Sequence, residues 1–348
     1  MLKTLELQNF TVFKEARLDF SSGLNVIIGE NGTGKSHLLK AAYAMLQAVI
    51  LLKKAGATED PSLMRSVVAT EKLFSIFSCN PGLLVRNRDI DTPLLFTITL
   101  DDGWRFSFEQ GKANSGFQVG KETSLSTLFI PTKEILSIYK GFRSTLKNRE
   151  LAFDGTYLDL AEALDLPPFR GDKLEDVRPL FEPLEKILHA RVEQENGEFF
   201  FAAQGADAEK SERRIHAQLV AEGHRKLGML SYLIKNGSLR KGTSLFWDEP
   251  EANLNPRLLL KLAQVLVELS KILQVTIATH SLFLLRELEI LQEKRKLQKA
   301  HYVGLHFADD GGVEVLQGDT SNDIGDIAAL DANLDQSDRY MNLSYGDA

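Results

Sequence analysis

Gly29-Glu30-Asn31-Gly32-Thr33-Gly34-Lys35-Ser36 fits the pattern G-x-x-x-x-G-K-S. An apolar run at residues 24–28 leads into it and an apolar-periodic stretch at 37–52 follows, so the order is strand, loop, helix. Polyphosphate binding needs that order. The glycines let consecutive backbone N–H groups turn inward around an anion, and the helix N-terminus adds its positive end to the same place. Lys35 then reaches the β- and γ-phosphates, and the Ser36 hydroxyl serves Mg²⁺. Gly29, Glu30, Asn31, Gly32, Thr33 and Gly34, with Lys35, Ser36 and His37 at the helix start, are the expected nucleotide-binding set, and ATP and Mg²⁺ the expected cofactors.

The partner to this loop lies far downstream. Leu245-Phe246-Trp247-Asp248-Glu249 is a short apolar strand that delivers two carboxylates at its C-terminal end, where nucleotides sit in open α/β sheets. Asp248 is the expected Mg²⁺ residue, and Glu249 the general base that polarises the attacking water. The next strand, residues 274–278, ends in Thr279-His280-Ser281. In isolation His280 reads as a satisfied strand-end histidine. Following a P-loop and Asp248-Glu249 in this chain order, it reads as a γ-phosphate contact.

Elsewhere the period changes along the chain. Residues 2–8 and 16–20 alternate like two short strands, and Asn9 to Lys14 between them are candidates for contact with the base. A helix is expected over 63–77. Strands at 94–100, 104–109, 116–119 and 124–130 read as an antiparallel layer. A helical region from Thr132 to about His189 is expected to break at Pro167-Pro168 and between Pro179 and Pro183. A hairpin turns at Asn196-Gly197, a strong two-residue turn signal. A second hairpin around Asp309-Asp310-Gly311-Gly312 and one helix over 327–341 follow, the helix with Ile327, Leu330, Leu334 and Met341 on one face.

With 348 residues, 43% of them hydrophobic and 26% charged, the chain has the composition of a soluble protein of about two domains. No run approaches the ~18 apolar residues of a membrane span and the N-terminus alternates like a strand, so a cytoplasmic protein without a membrane partner is expected. Cys79 is the only cysteine, which excludes an internal disulfide and leaves no zinc pattern. A net charge of −7 argues against coating nucleic acid by bulk electrostatics. The local clusters Arg143, Lys147 and Arg149; Lys210, Arg213 and Arg214; and Lys294, Arg295, Lys296 and Lys299 are more often solvated helix faces, so DNA or RNA is allowed as a partner but not required.

At Asp248-Glu249-Pro250-Glu251-Ala252-Asn253-Leu254-Asn255-Pro256, followed by Ile277-Ala278-Thr279-His280-Ser281, the chain resembles the ABC-type ATPase superfamily. It looks most like the soluble branch of SMC-like, RecF-type, OLD-family and Septu-type proteins. The resemblance covers residues 1–53 and 219–290 best. It implies an α/β fold of the ABC-ATPase P-loop type, with a mixed sheet core, an antiparallel β-layer and a helical lobe. It also implies that His280 is the switch histidine, that Asn255 lies in a D-loop crossing a dimer interface, and that Gly223 is a signature glycine meeting the nucleotide of a second chain. Two positions depart from the pattern. Ala221 stands where the signature serine would be, with Arg225 or Lys226 as possible compensation, and Thr132-Lys133-Glu134 replaces the Q-loop glutamine, with Glu134 an open candidate for the metal side.

The expected division is 1–134 and 236–305 for the ATPase core, 135–235 for a helical lobe and 306–348 for a C-terminal hairpin and helix. About 90 residues between Pro131 and Glu222 are too few for a long SMC coiled coil, and the C-terminal part is too small for an OLD-type nuclease. The resemblance therefore implies an ATPase that forms a homodimer or higher oligomer around ATP and regulates a separate effector protein, a nuclease of an anti-phage system. The alternative is a stand-alone SMC/RecF-like ATPase acting on DNA.

Overall fold

The computed structural model describes residues 1–54, 62–87, 92–111, 116–118, 125–148, 152–203, 214–294, 300–326, 335–336 and 338–342. The chain opens on β1 (Leu2–Phe10) and β2 (Phe13–Asp19), enters β3 (Leu24–Gly29), and continues through α1 (Lys35–Lys54) and α2 (Ser62–Phe77). Strands β4 (Leu95–Leu100), β5 (Arg105–Glu109), β6 (Gly116–Gln118) and β7 (Ser126–Ile130) follow. Helices α3 (Phe142–Lys147), α4 (Gly155–Leu164) and α5 (Asp172–Leu188) lead to β8 (Ala190–Glu195), β9 (Glu198–Ala203), β10 (Arg214–His216) and α6 (Glu222–Lys235). The chain then alternates through β11 (Thr243–Asp248), α7 (Pro256–Ser270), β12 (Gln274–Thr279) and α8 (Leu282–Glu293) to the hairpin β13 (Ala300–Phe307) and β14 (Val313–Gly318).

Six strands in the order β14-β13-β3-β12-β11-β7 make the central sheet, parallel throughout except for the β13–β14 pair. Strands β3, β12 and β11 are buried at every residue because both faces of the sheet are covered. Val26, Ile28, Leu128, Ile130, Leu245, Trp247, Val275 and Ile277 point into one core with α4 to α7 and β8–β9. The alternate residues Ile27, Phe129, Phe246 and Ala278 point into a second core with α1, α2 and the antiparallel sheet β2-β1-β4-β5-β6. Helix α1 is thus buried between two sheets, which explains why Leu38, Leu39, Ala41, Ala42, Tyr43, Ala44, Met45 and Leu46 are all below 2% exposed.

Two sequence expectations change. β7 belongs to the parallel core, paired with β11 from Ser126↔Thr243 to Ile130↔Trp247, and not to the antiparallel layer. The consecutive burial of Leu128, Phe129 and Ile130 is the mark of a strand covered on both faces. Helix α5 runs through Pro179 and Pro183 without a break. Both prolines lie on its exposed face, where the carbonyls they leave unpaired meet water, while Phe181, Leu184 and Leu188 anchor the opposite face. The helix expected over 327–341 cannot be followed, since 327–334 and 337 lie outside the described residues; so do Arg149, Lys210, Arg213, Arg295, Lys296 and Lys299 of the basic clusters. Of the remaining basic residues, Arg143 pairs with Asp165 and Glu162, and Arg214 pairs with Glu195 at 2.7 Å while covering the Phe200 ring. Among the described residues no helix is long and apolar enough to cross a membrane.

The Asn196-Gly197 turn is as expected, with φ of 53° and 75° closing the β8–β9 hairpin. Strand β10, which extends this hairpin into a three-stranded sheet, is too short at three residues to leave a period-2 signal.

Candidate nucleotide site

β3 ends at Gly29 and α1 begins at Lys35, so residues 30–34 bridge the C-terminal edge of the sheet to a helix N-terminus. Gly32 and Gly34 have φ of +89° and +88°, a region that side-chain-bearing residues rarely adopt. Gly34 has a second reason to be glycine, because a Cβ there lies 2.8 Å from the side chains of Val12 and Phe13 in the β1–β2 turn. A Cβ at Gly29 lies 2.8 Å from the Leu305 carbonyl oxygen. The hairpin before the loop and the strand β13 beside it therefore fix its two sides.

Lys35 is buried and its ammonium donates to the carbonyls of Gly29 at 2.8 Å and Glu30 at 2.9 Å. Burial lowers its pKa, opposed by Glu249, Asp248, Glu251 and Glu30. Thr33 Oγ1 donates to the Glu30 carbonyl at 2.8 Å. Asn31 and Gly32 are exposed on the rim, and the His37 ring stands edge-on to Phe10 and Phe77, with centroids at 6.2 and 6.0 Å.

The two carboxylates emerge from the end of β11. Asp248 is 7% exposed, takes a hydrogen bond from the Ser36 hydroxyl, and keeps its Oδ1 buried without a partner among the described residues. Burial raises its pKa, with Ser36, Lys40 and Lys35 acting against the rise. An orphaned buried carboxylate oxygen beside a serine hydroxyl suits a hard divalent cation with oxygen ligands, so the donor set fits Mg²⁺. Glu249 sits in the left-handed region at φ +46°, held by its N–H donating to the Ala278 carbonyl at 2.9 Å. That turn re-aims the side chain out of the strand. His280 Nδ1 lies 3.3 Å from Glu249 Oε1 and 3.8 Å from Glu251 Oε1. The parallel register Asp248↔Ala278 puts the ends of β11 and β12 side by side, which brings the three groups together.

The signature-like segment joins the same loop from α6. Gly223 is packed so closely that a Cβ falls 2.6 Å from Leu254 Cδ2 and 3.1 Å from the Asn253 carbonyl. Ala221 occupies the N-cap of α6 and supplies no side-chain cap, while the Asn255 side chain caps α7 by accepting from Leu258 N–H at 3.0 Å. Lys226 is not solvated. It is 1% exposed, and its ammonium donates to the carbonyls of Ala252 at 2.9 Å and Glu249 at 3.4 Å, with its pKa lowered by burial. Helical phase already carried the signal, since Lys226 shares the apolar stripe of Gly223, Leu230 and Leu233.

Glu134 turns out to be committed elsewhere. Its carboxylate, 3% exposed, pairs with Arg225 Nε at 2.5 Å and accepts from the Ser137 hydroxyl at 2.7 Å. A carboxylate so paired is a structural clamp between the end of β7 and the start of α6, and the metal-side reading of Glu134 gives way to it. Arg225 is spent on the same clamp and on the Val220 carbonyl.

The family described as "AAA domain, putative AbiEii toxin, Type IV TA system" matches residues 24–286. The chain belongs to this family. The matched range holds both halves of the AbiEii-type AAA site, from β3 through His280 to α8. Similar curated proteins include a DNA replication and repair protein RecF of Pediococcus pentosaceus, 50% identical over 42 residues, covering 12% of this chain and 11% of the relative. An ATP/GTP phosphatase of Helicobacter pylori is 24% identical over 169 residues, 48% of this chain and 42% of the relative. The chain thus spans less than half the length of the curated relatives it matches. Among solved structures, the SMC head domain from Thermotoga maritima aligns with a TM-score of 0.49 at 14% identity, over 91% of this chain and 98% of that one. An SmcHead bound to the C-winged helix domain of ScpA gives 0.49 at 17%, over 92% and 98%. The parallel core with a P-loop between β3 and α1 is the α/β fold of a P-loop NTPase, and the family shown is the AbiEii-type AAA domain.

Proposed function

We propose that this chain is an ATP-binding and hydrolysing regulatory subunit that dimerises around ATP and controls a separately encoded effector, a nuclease, in a bacterial anti-phage defence system. The observation that carries the ATPase part is the gathering of Lys35, Ser36, Asp248, Glu249 and His280 at one edge of the central sheet. Loop amides 30–37 and Lys35 hold the triphosphate, and Ser36 and Asp248 hold Mg²⁺. Bound there, Mg²⁺ would supply charge neutralisation on the phosphate oxygens. Glu249 takes a proton from the attacking water as its oxygen bonds to the γ-phosphorus and the bond to ADP breaks. His280 faces the γ-phosphate from the neighbouring strand.

The regulatory part rests on what surrounds the site. Residues 1–134 and 236–305 make the ATPase core in this reading, 135–235 the helical lobe and 306–348 the C-terminal hairpin and helix, with the docking surface in the middle helical region or the C-terminal helix. No group of three or more His, Cys, Asp or Glu suited to a metal occurs among the described residues, so the effector chemistry is assigned to a partner. The family description carries the words "putative AbiEii toxin", which name an acting component and not a regulator, so this assignment rests on the site alone. The test is to incubate the purified chain with ATP, Mg²⁺ and plasmid or single-stranded nucleic acid. ATP should be consumed and the nucleic acid left intact. Cleavage that survives clean purification and vanishes on mutation outside the ATP site would place the effector in this chain, and strong stimulation of turnover by DNA would favour the stand-alone DNA ATPase instead.

ATP should also promote association. In this reading the P-loop and Asp248-Glu249 of one chain are completed by the start of α6 of a second chain, where Gly223 is itself buried against Leu254, so a complete site needs two chains head to tail. Ala221 lacks a hydroxyl, which removes one hydrogen bond across that seam, worth roughly 0.5–3 kcal/mol depending on charge. A modest ATP-dependent dimer is the expected result by light scattering of the Glu249→Gln variant. A strict monomer with and without ATP, well above micromolar concentration, would overturn the shared site.

A further inference from the structure

The group with no task in the site described so far is Glu251. It is 7% exposed, and its Oε1 accepts from the Thr279 hydroxyl at 2.5 Å and from the His280 N–H at 3.3 Å. The same oxygen lies 3.8 Å from the His280 ring, and its Oε2 is buried with no partner among the described residues. Burial raises its pKa. A buried carboxylate with one oxygen uncompensated is destabilising, and such groups in native folds call for a reason beyond stability. Position supplies one. Glu251 lies two residues past Glu249 on the loop leaving β11, and its acceptor reaches across to the loop leaving β12. From the other side the Lys226 ammonium pins the backbone of the same loop at Glu249 and Ala252.

We propose that Glu251 is the positioning residue of the hydrolysis site: its buried Oε1 clamps the Thr279-His280 turn and so sets the His280 ring 3.3 Å from Glu249. The inference rests on the reading of Glu249 and His280 as hydrolytic groups. Thr279 is fully buried, so the clamp has no competing water, and the imidazole is aimed although it is half-exposed at the sheet edge. Lacking the clamp, the end of β12 keeps its ladder hydrogen bonds and the Ser281 N–H to Thr279 Oγ1 at 3.0 Å but loses its side-chain tie to the β11 loop, and a displacement of about 1 Å at a reacting group is worth up to ~10²-fold in rate.

Steady-state hydrolysis and binding of a fluorescent ATP analogue, measured on the full chain, test this with Glu251→Ala, Glu251→Gln, Thr279→Val, His280→Ala and the Glu251→Ala/His280→Ala double variant. Glu251→Ala should lower kcat by ~10- to 100-fold and leave the analogue's Kd within about threefold. Glu251→Gln, which returns an acceptor to Thr279, should recover most of that loss. The decisive arm is the double variant, which should be no slower than His280→Ala alone, because a group acting through His280 has nothing left to position. Multiplied losses in the double variant, or a Kd that weakens as far as kcat falls, would overturn the proposal. Should Glu251→Ala fail to fold, Thr279→Val carries the same comparison with the charge and volume kept. Glu249→Gln and His280→Ala alone separate the two levels: parental rates in both would remove the site itself, whereas slow rates in both with multiplied losses in the double variant would remove only the role of Glu251.

Discussion

Glu249→Gln is expected to bind ATP within about twofold of the parent and to turn it over at least ~10²-fold more slowly, the usual weight of a positioned general base. The substitution keeps the size, the hydrogen-bonding ends and the unusual backbone, since the N–H to Ala278 and the carbonyl to Lys226 are both main-chain groups. Only the ability to accept a proton is lost. Because the proposed role of Glu249 is on the attacking water and not in anchoring the phosphates, affinity should hold while turnover falls. Single-turnover hydrolysis beside equilibrium binding reads both quantities, and hydrolysis at the parental rate would show that Glu249 is not the base.

Lys35→Ala should remove binding itself. The ammonium makes two hydrogen bonds to loop carbonyls at 2.8 and 2.9 Å, and in the proposed complex it would exchange them for phosphate oxygens. Charge-assisted contacts are worth about 1.5–3 kcal/mol each, and each 1.4 kcal/mol is tenfold in Kd. A weakening of ~10²-fold or more in Kd for ATP follows, measurable by isothermal titration with Mg²⁺ present. Since the side chain also ties the loop to itself, the change should lower thermal stability slightly in the absence of nucleotide. An unchanged Kd would mean that the loop amides alone carry the affinity.

Much of this site was legible because its signals are local. The glycines of the loop, the apolar run before it and the periodic stretch after it gave β3 and α1 nearly to their observed ends. Asp248-Glu249 and His280 were legible because a short apolar strand followed by charge is itself a local pattern. What failed was everything decided by neighbours distant in sequence. Residues 124–130 look alike as an edge of an antiparallel layer or as a parallel core strand, and only the pairing with β11 separates the two. Glu134 stood as a candidate for the metal side because the Arg225 that pairs with it is distant in sequence, and Lys226 stood as a stand-in for the missing serine because the loop after β11 that it holds is equally distant. Pro179 and Pro183 gave a break signal that burial of the opposite helix face outweighed.

The strand order has a consequence for how the chain is made. β3 carries the P-loop yet sits between β12 and β13, so that Val26 pairs with Ile277 on one side and Tyr302 on the other. While the protein is being synthesised, this mostly apolar strand waits with both edges open until β12 and β13 have left the ribosome. Long-range parallel pairing of this kind is slow to form and exposes sticky edges meanwhile. β1, β2, β4 and β5, which pair mostly with near neighbours, can assemble early and shelter α1 during the wait. The nucleotide site is therefore among the last parts to be completed, and a nascent chain halted before β12 has a phosphate loop with no sheet to hold it.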